Sequence, residues 1–92
     1  MYNIQSMKAE IKAITQESRN LKEAHDRGAL HMTRIRATAL YHLRAKAHGR
    51  THLKDMDGYL KRIGIYGQIV FERELKQLEA KHTLAEPQQV AV

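Results

Sequence analysis

Through the first twenty-five residues, apolar and small side chains return at alternating steps of three and four: Ile4, Met7, Ile11, Ile14, Ser18, Leu21 and His25. The positions between are charged, among them Lys8, Glu10, Lys12, Glu17, Arg19, Lys22 and Glu23. That rhythm is a heptad seam on an amphipathic helix, predicted over residues 3–25. Asn3 or Ser6 can cap its start, and Asp26-Arg27-Gly28 supplies a stop, with Gly28 in the left-handed conformation past the last turn. Ser18 and His25 weaken the seam late. The seam predicts packing within the monomer or between copies, with Ile4, Met7, Ile11, Ile14 and Leu21 as the self-association surface. An alternative keeps Gly28 inside one longer helix, because Met32, Ile35 and Ala39 continue the heptad and a helical Gly costs only about 1 kcal/mol relative to Ala.

A second helix is predicted from Ala29 to His48, with Gly49 as its stop. At about 100° per residue, Met32, Ile35, Ala39, Leu40 and Leu43 gather on a core face. Arg34, Ala37, Tyr41, Arg44, Ala45 and His48 gather opposite, while Arg36 and Lys46 border the core and snorkel outward. Beyond Gly49 the pattern is less regular. Thr51 can cap a short helix through Leu53 and Met56, and Asp57-Gly58 is a turn signal. Tyr59, Leu60, Ile63, Tyr66 and Val70 then keep helical spacing across Gly64 and Gly67, which mark either a turn between two helices or a close helix contact. Phe71, Leu75 and Leu78 share one stripe, and the helix is predicted to reach His82. Residues 83–92, with Glu86-Pro87-Gln88-Gln89, read as a flexible tail after a single domain over residues 1–82. The expected fold class is all-α: a helical hairpin with a third helix packed across it, a small bundle that self-associates.

Charge sharpens this picture. Of 92 residues, the stretch Arg27 to Lys54 holds seven Lys or Arg and four of the six histidines, with no Asp or Glu, while the flanks are nearly neutral. Concentrated basicity of this kind is the footprint of an anionic partner. There is no Cys, which excludes a disulfide scaffold and a thiolate metal site and suits a reducing compartment. No apolar run approaches the roughly 18 residues of a membrane span, and the amino end lacks a signal-peptide core. The expected setting is cytoplasmic, with no membrane partner.

Phosphates need Lys or Arg on a reachable face with small neighbours that permit close approach. Arg34, Tyr41, Arg44 and His48 meet that description on the second helix, and Arg50 and Lys54 extend it. Lys61 and Arg62, beside Tyr59 and Tyr66, form a smaller cluster. Tyr41 is placed to stack on a base or donate to a phosphate. The bland alternative is a solvated basic helix with no specific partner. Four histidines in an acid-free block resist protonation until a polyanion arrives, so binding is expected to take up protons and strengthen below about pH 6.5.

Other chemistries find little. His48 and His52 are four apart, but Gly49 and Arg50 intervene and no Glu follows His48, so the zinc-protease pattern is absent. Thr51, His52 and Asp55 are too short a cluster to carry nucleophilic catalysis, and Gly64-Ile65-Tyr66-Gly67 lacks the Lys-Ser/Thr ending of a phosphate loop. The second helix is basic and amphipathic, but its apolar face is too shallow for a lipid surface. No enzyme activity, cofactor, metal or small-molecule substrate is expected.

The run Tyr41-His42-Leu43-Arg44-Ala45-Lys46-Ala47-His48-Gly49-Arg50-Thr51, within Leu40 to Asp57, resembles a pattern in small uncharacterised bacteriophage proteins. There a helix rich in His, Leu and Ala ends at Arg-Gly-Arg, with an acid a few residues on. Here His48 replaces the first Arg. The resemblance covers about a fifth of the chain. It implies a phage accessory protein in the host cytoplasm, a stoichiometric binder of nucleic-acid machinery or defence complexes. The favoured expectation is a small basic binding protein acting on nucleic acid or a nucleic-acid complex. Its runner-up is an inhibitor or adaptor docking the basic face on an acidic protein surface. In a third reading that face meets Glu72, Glu74 and Glu79 of another subunit.

Overall fold

A computed structural model describes residues 1–83 and gives three helices, α1 (Ile4–Glu23), α2 (Arg27–Ala47) and α3 (Met56–His82). No β-strand occurs among the described residues, and none of these helices is long and apolar enough to cross a membrane. Residues 84–92, most of the expected tail, lie outside the described residues.

Each helix begins where a side-chain oxygen replaces a missing intrahelical acceptor. Asn3 accepts from the Ser6 amide at 3.1 Å, Asp26 from Ala29 at 3.1 Å and Asp55 from Gly58 at 2.9 Å. The cap at Asp55 corrects the expectation at Thr51, and Asp57-Gly58, expected as a turn, forms the first turn of α3 instead.

The helix ends are equally specific. Past α2, Gly49 takes φ +68, its amide bonds the Lys46 carbonyl at 3.0 Å, and the Arg50 amide reaches back to Ala45 at 2.7 Å. These two bonds form a Schellman ending. Past α1 the same pair of bonds recurs, from His25 to Lys22 at 3.1 Å and from Asp26 to Leu21 at 3.0 Å. There the left-handed residue is His25, at φ +56, not the expected Gly28, which lies inside the first turn of α2. Asp26 thus closes one helix with its backbone and opens the next with its side chain. The single long helix through Gly28 is excluded by the same geometry.

α3 turns a corner at Gly64, whose φ +75 and ψ −179 belong to no helix. Tyr59 and Phe71, twelve residues apart, would be separated by about 18 Å along a straight helix, yet their ring centroids lie 5.3 Å apart, edge to face. At the corner the Gln68 side chain donates to the Leu60 carbonyl at 2.9 Å. A Cβ on Gly67 would lie only 2.6 Å from Ile63 Cβ, so residues 56–63 and 65–82 approach too closely for any other residue. Both expectations for this segment hold: Gly64 is the turn and Gly67 the close contact.

α2 is the central element. α1 and α3 both pack along it and meet one another mainly where α1 begins and α3 ends. Met7, Ile14, Ile35, Ala39, Leu40, Leu43, Phe71 and Leu78 form the buried core. The α1 seam is thereby used within one chain. Met7 is 0% exposed, Ile14 is buried, and Ile4 and Ile11 pack against the same cluster, so four of the five seam residues named for self-association are packed within one chain. Met32, expected in the core, is 38% exposed, and Thr33 is buried in its place. Thr33 lies within about 20° of Arg44 around α2, and Arg44 borders α1, so burial early in α2 swings toward the α1 side.

Candidate nucleic-acid interface

The cations of the basic block do not share one fate. Arg36 sits between Glu17 at 3.8 Å and Glu74 at 3.6 Å, and Lys46 meets Glu79 at 3.3 Å. Glu79 also accepts from the Tyr2 hydroxyl at 3.0 Å. Those contacts raise the pKa of Lys46, chiefly through its hydrogen bond to Glu79, and lower that of Glu79, chiefly through Tyr2 and then Lys46. Glu74 and Glu79, two of the three acids expected to meet the basic block of another subunit in the third reading, are therefore paired within the chain.

Arg44 remains free of acid. Its guanidinium lies 5.1 Å over the Tyr41 ring, a cation–π contact, and the His52 ring stands 6.0 Å from the other end of that pair at a 52° tilt. The connection over residues 48–55 thus folds back along α2 after its Gly49 ending. Across from Arg44, α1 contributes Lys8 and Lys12. Together with Gln5, Ala9 and Ile11 these three cations line a hollow of about 490 Å³ between the helices. A second shallow hollow of about 370 Å³ continues along α1, lined by Ile11, Lys12, Thr15, Gln16 and Arg19. The two share Ile11 and Lys12. Lys8, Lys12 and Arg19 fall within about 40° on α1 and span about 16 Å of its length. No acid lines either hollow, and among the described residues none of these four cations is in an ion pair.

Of the binding residues singled out from the sequence, Arg44 lines this hollow, and Tyr41 lies under its guanidinium. Arg34 is exposed on the same open side of α2, about 80° round from Arg44. His48 is the exposed C-cap of α2, and Arg50 and Lys54 are exposed on the connection. Lys61 and Arg62 are exposed on α3 and line neither hollow. His42 turns toward Phe71, with ring centroids 6.4 Å apart, rather than toward an outer ligand. Lys8, Lys12 and Arg19 were missed by reading charge in sequence blocks, where α1 is neutral. The signal was their spacing of four and seven, which puts three cations on one stripe while Glu10 and Glu17 face away.

A second constellation joins the ends of the fold. The His82 ring, 1% exposed, meets the Ser6 hydroxyl at Nδ1, 2.6 Å away, and the Glu10 carboxylate at Nε2. Lys81 reaches the other oxygen of Glu10 at 2.9 Å. Ser, His and Glu in a row have the composition of a hydrolytic triad. Here the Ser6 hydroxyl also bonds the Asn3 carbonyl at 3.0 Å, and the imidazole is sealed from any substrate, so the group acts as a polar clasp. The Asn3 amide to His82 carbonyl bond, at 2.6 Å, and the bridge from Tyr2 to Thr83 complete it. No three His, Asp or Glu side chains converge on a metal-binding arrangement among the described residues.

No family model, no curated protein and no solved structure matches this chain.

Proposed function

We propose that this chain binds nucleic acid through its phosphate backbone, seated along the α1 stripe and the hollow shared with α2. The observation that carries this reading is the set Lys8, Lys12, Arg19 and Arg44, which line adjoining concavities with no acid among them and no ion pair to neutralise them. Arg36 and Lys46, by contrast, each meet an acid, so this stripe keeps a concentrated positive field that a bound polyanion neutralises. The Tyr41–Arg44 pair adds a flat cationic surface beside the backbone track. Arg34, His48, Arg50 and Lys54 extend the positive field around α2. The chain acts stoichiometrically, without catalysis, in a setting such as that of a phage accessory protein in a host cytoplasm.

The test is fluorescence anisotropy with duplex DNA, single-stranded DNA and a structured RNA across a salt series. Binding is expected to weaken log-linearly with salt, with a slope of about 0.9 per phosphate contacted on duplex DNA. Reversing Lys8 and Lys12 together to Glu should lower that slope by about two contacts. The same reversal at Lys61 and Arg62 should change it little. Failure to bind all three at low salt overturns the proposal and leaves an acidic protein surface as the partner of the groove.

A further inference from the structure

Ile69 points directly away from the core. It lies nine residues before buried Leu78, about 180° round the helix, and is 53% exposed. One turn earlier Ile65 is 76% exposed, and Tyr66 beside it 81%. Three large apolar side chains at the start of one helix face are a patch rather than scattered surface residues. Farther along that face a groove of about 550 Å³ is lined by Ile69, Glu72, Arg73, Leu75 and Lys76. Its rim therefore carries both signs. Glu72, Arg73 and Lys76 form no ion pair within the chain among the described residues.

Those charges select the occupant. A polyanion or an anionic lipid surface would meet Glu72 at the centre of the strip, whereas the strip is complementary to itself. When two such helices run antiparallel about a two-fold axis between residues 72 and 73, Glu72 of each copy faces Arg73 of the other. In the same register Ile69 lies over the aliphatic stem of Lys76, and Ile65 opposes Ala80. A self-complementary patch of this kind is what an isologous interface requires.

We propose that the outer face of α3, from Ile65 to Ala80, is a homodimer interface in which two copies pair this helix antiparallel. The interface is independent of the cationic groove and stands whether or not the chain binds nucleic acid. One helix face covers less than the roughly 800 Å² per partner of a standard interface, so the dimer is expected to be concentration-dependent.

Sedimentation velocity over a concentration series tests this. The wild-type chain is expected to shift from monomer to dimer. Ile69→Asp, at an exposed position that leaves the core intact, should weaken association about tenfold or more. Glu72→Arg should weaken it by setting like charges opposite one another twice, and Glu72→Arg with Arg73→Glu should restore it. Circular dichroism verifies that each variant is folded. A wild-type chain that stays monomeric throughout overturns the proposal, as does a dimer indifferent to Ile69→Asp and to the charge swap. If Ile69→Asp leaves the mass unchanged but abolishes binding to nucleic acid or to anionic vesicles, the face belongs to that ligand and the dimer is excluded.

Discussion

His42 shows how little a sequence position says about a titrating group until its neighbours are known. It belongs to the acid-free basic block, yet its ring packs beside Phe71 and its buried Nδ1 has no hydrogen-bond partner among the described residues. Burial lowers its pKa below the ordinary 6.5, and the positive charges of His52 and Lys46 add to the effect. The unfolded chain therefore takes up a proton at His42 before the folded chain does, and stability declines as pH falls through 6.5. Glu10 responds in a lower range. Burial raises its pKa, but the hydrogen bonds and charges of Lys81 and His82 outweigh that and hold it below 4.5. Its contribution is present above 4.5 and is lost as pH falls further. Urea unfolding from about pH 8 to about pH 3 should thus show two declines. His42→Leu, which fills the same space beside Phe71, should remove the upper one and leave the lower.

At the level of elements, the helix ends separate what was legible in the sequence from what was not. The α1 seam was readable because periodicity survives in any environment, and Gly49 because glycine meets a left-handed ending without steric cost. Gly28 misled for the same reason. The duty it was given fell three residues earlier to His25, a residue type that tolerates φ > 0 less well and so carries a weaker signal. Gly64 and Gly67 carry two different demands. The backbone of Gly64 lies in a region open essentially to glycine alone, so Gly64→Ala should cost about 1–3 kcal/mol although nothing lies within reach of the new methyl. Gly67→Ala has ordinary helical geometry but drives Cβ into Ile63, and overpacking of that kind costs about 1–3 kcal/mol. Chemical denaturation compares the two, and Ile63→Ala should rescue neither, because it keeps the Cβ that lies 2.6 Å from the methyl added at Gly67.

For the whole molecule, the electrostatic surface was the least legible property. Counting charge along the chain concentrates it between Arg27 and Lys54, but folding pairs Arg36 and Lys46 with acids of α1 and α3 and brings the cations of neutral-looking α1 beside Arg44. Which cations stay unpaired depends on contacts between helices, and no local pattern encodes those. The polar clasp belongs to the same scale. Ser6 to His82 spans 76 residues and Glu10 to Lys81 spans 71, whereas the packing of α1 on α2 and of α2 on α3 joins neighbours in the chain. Closing the longest loop is entropically the least favourable of these steps, and it becomes cheap only once α2 has already gathered both neighbours. The clasp is therefore expected to close last in folding. Glu10→Gln should leave the refolding rate in stopped-flow mixing nearly unchanged and appear almost wholly as faster unfolding. A slowed refolding limb would mean that the ends meet first. If they meet last, these few polar contacts at the junction of α1 and α3 govern how long the native state persists rather than how fast it is reached.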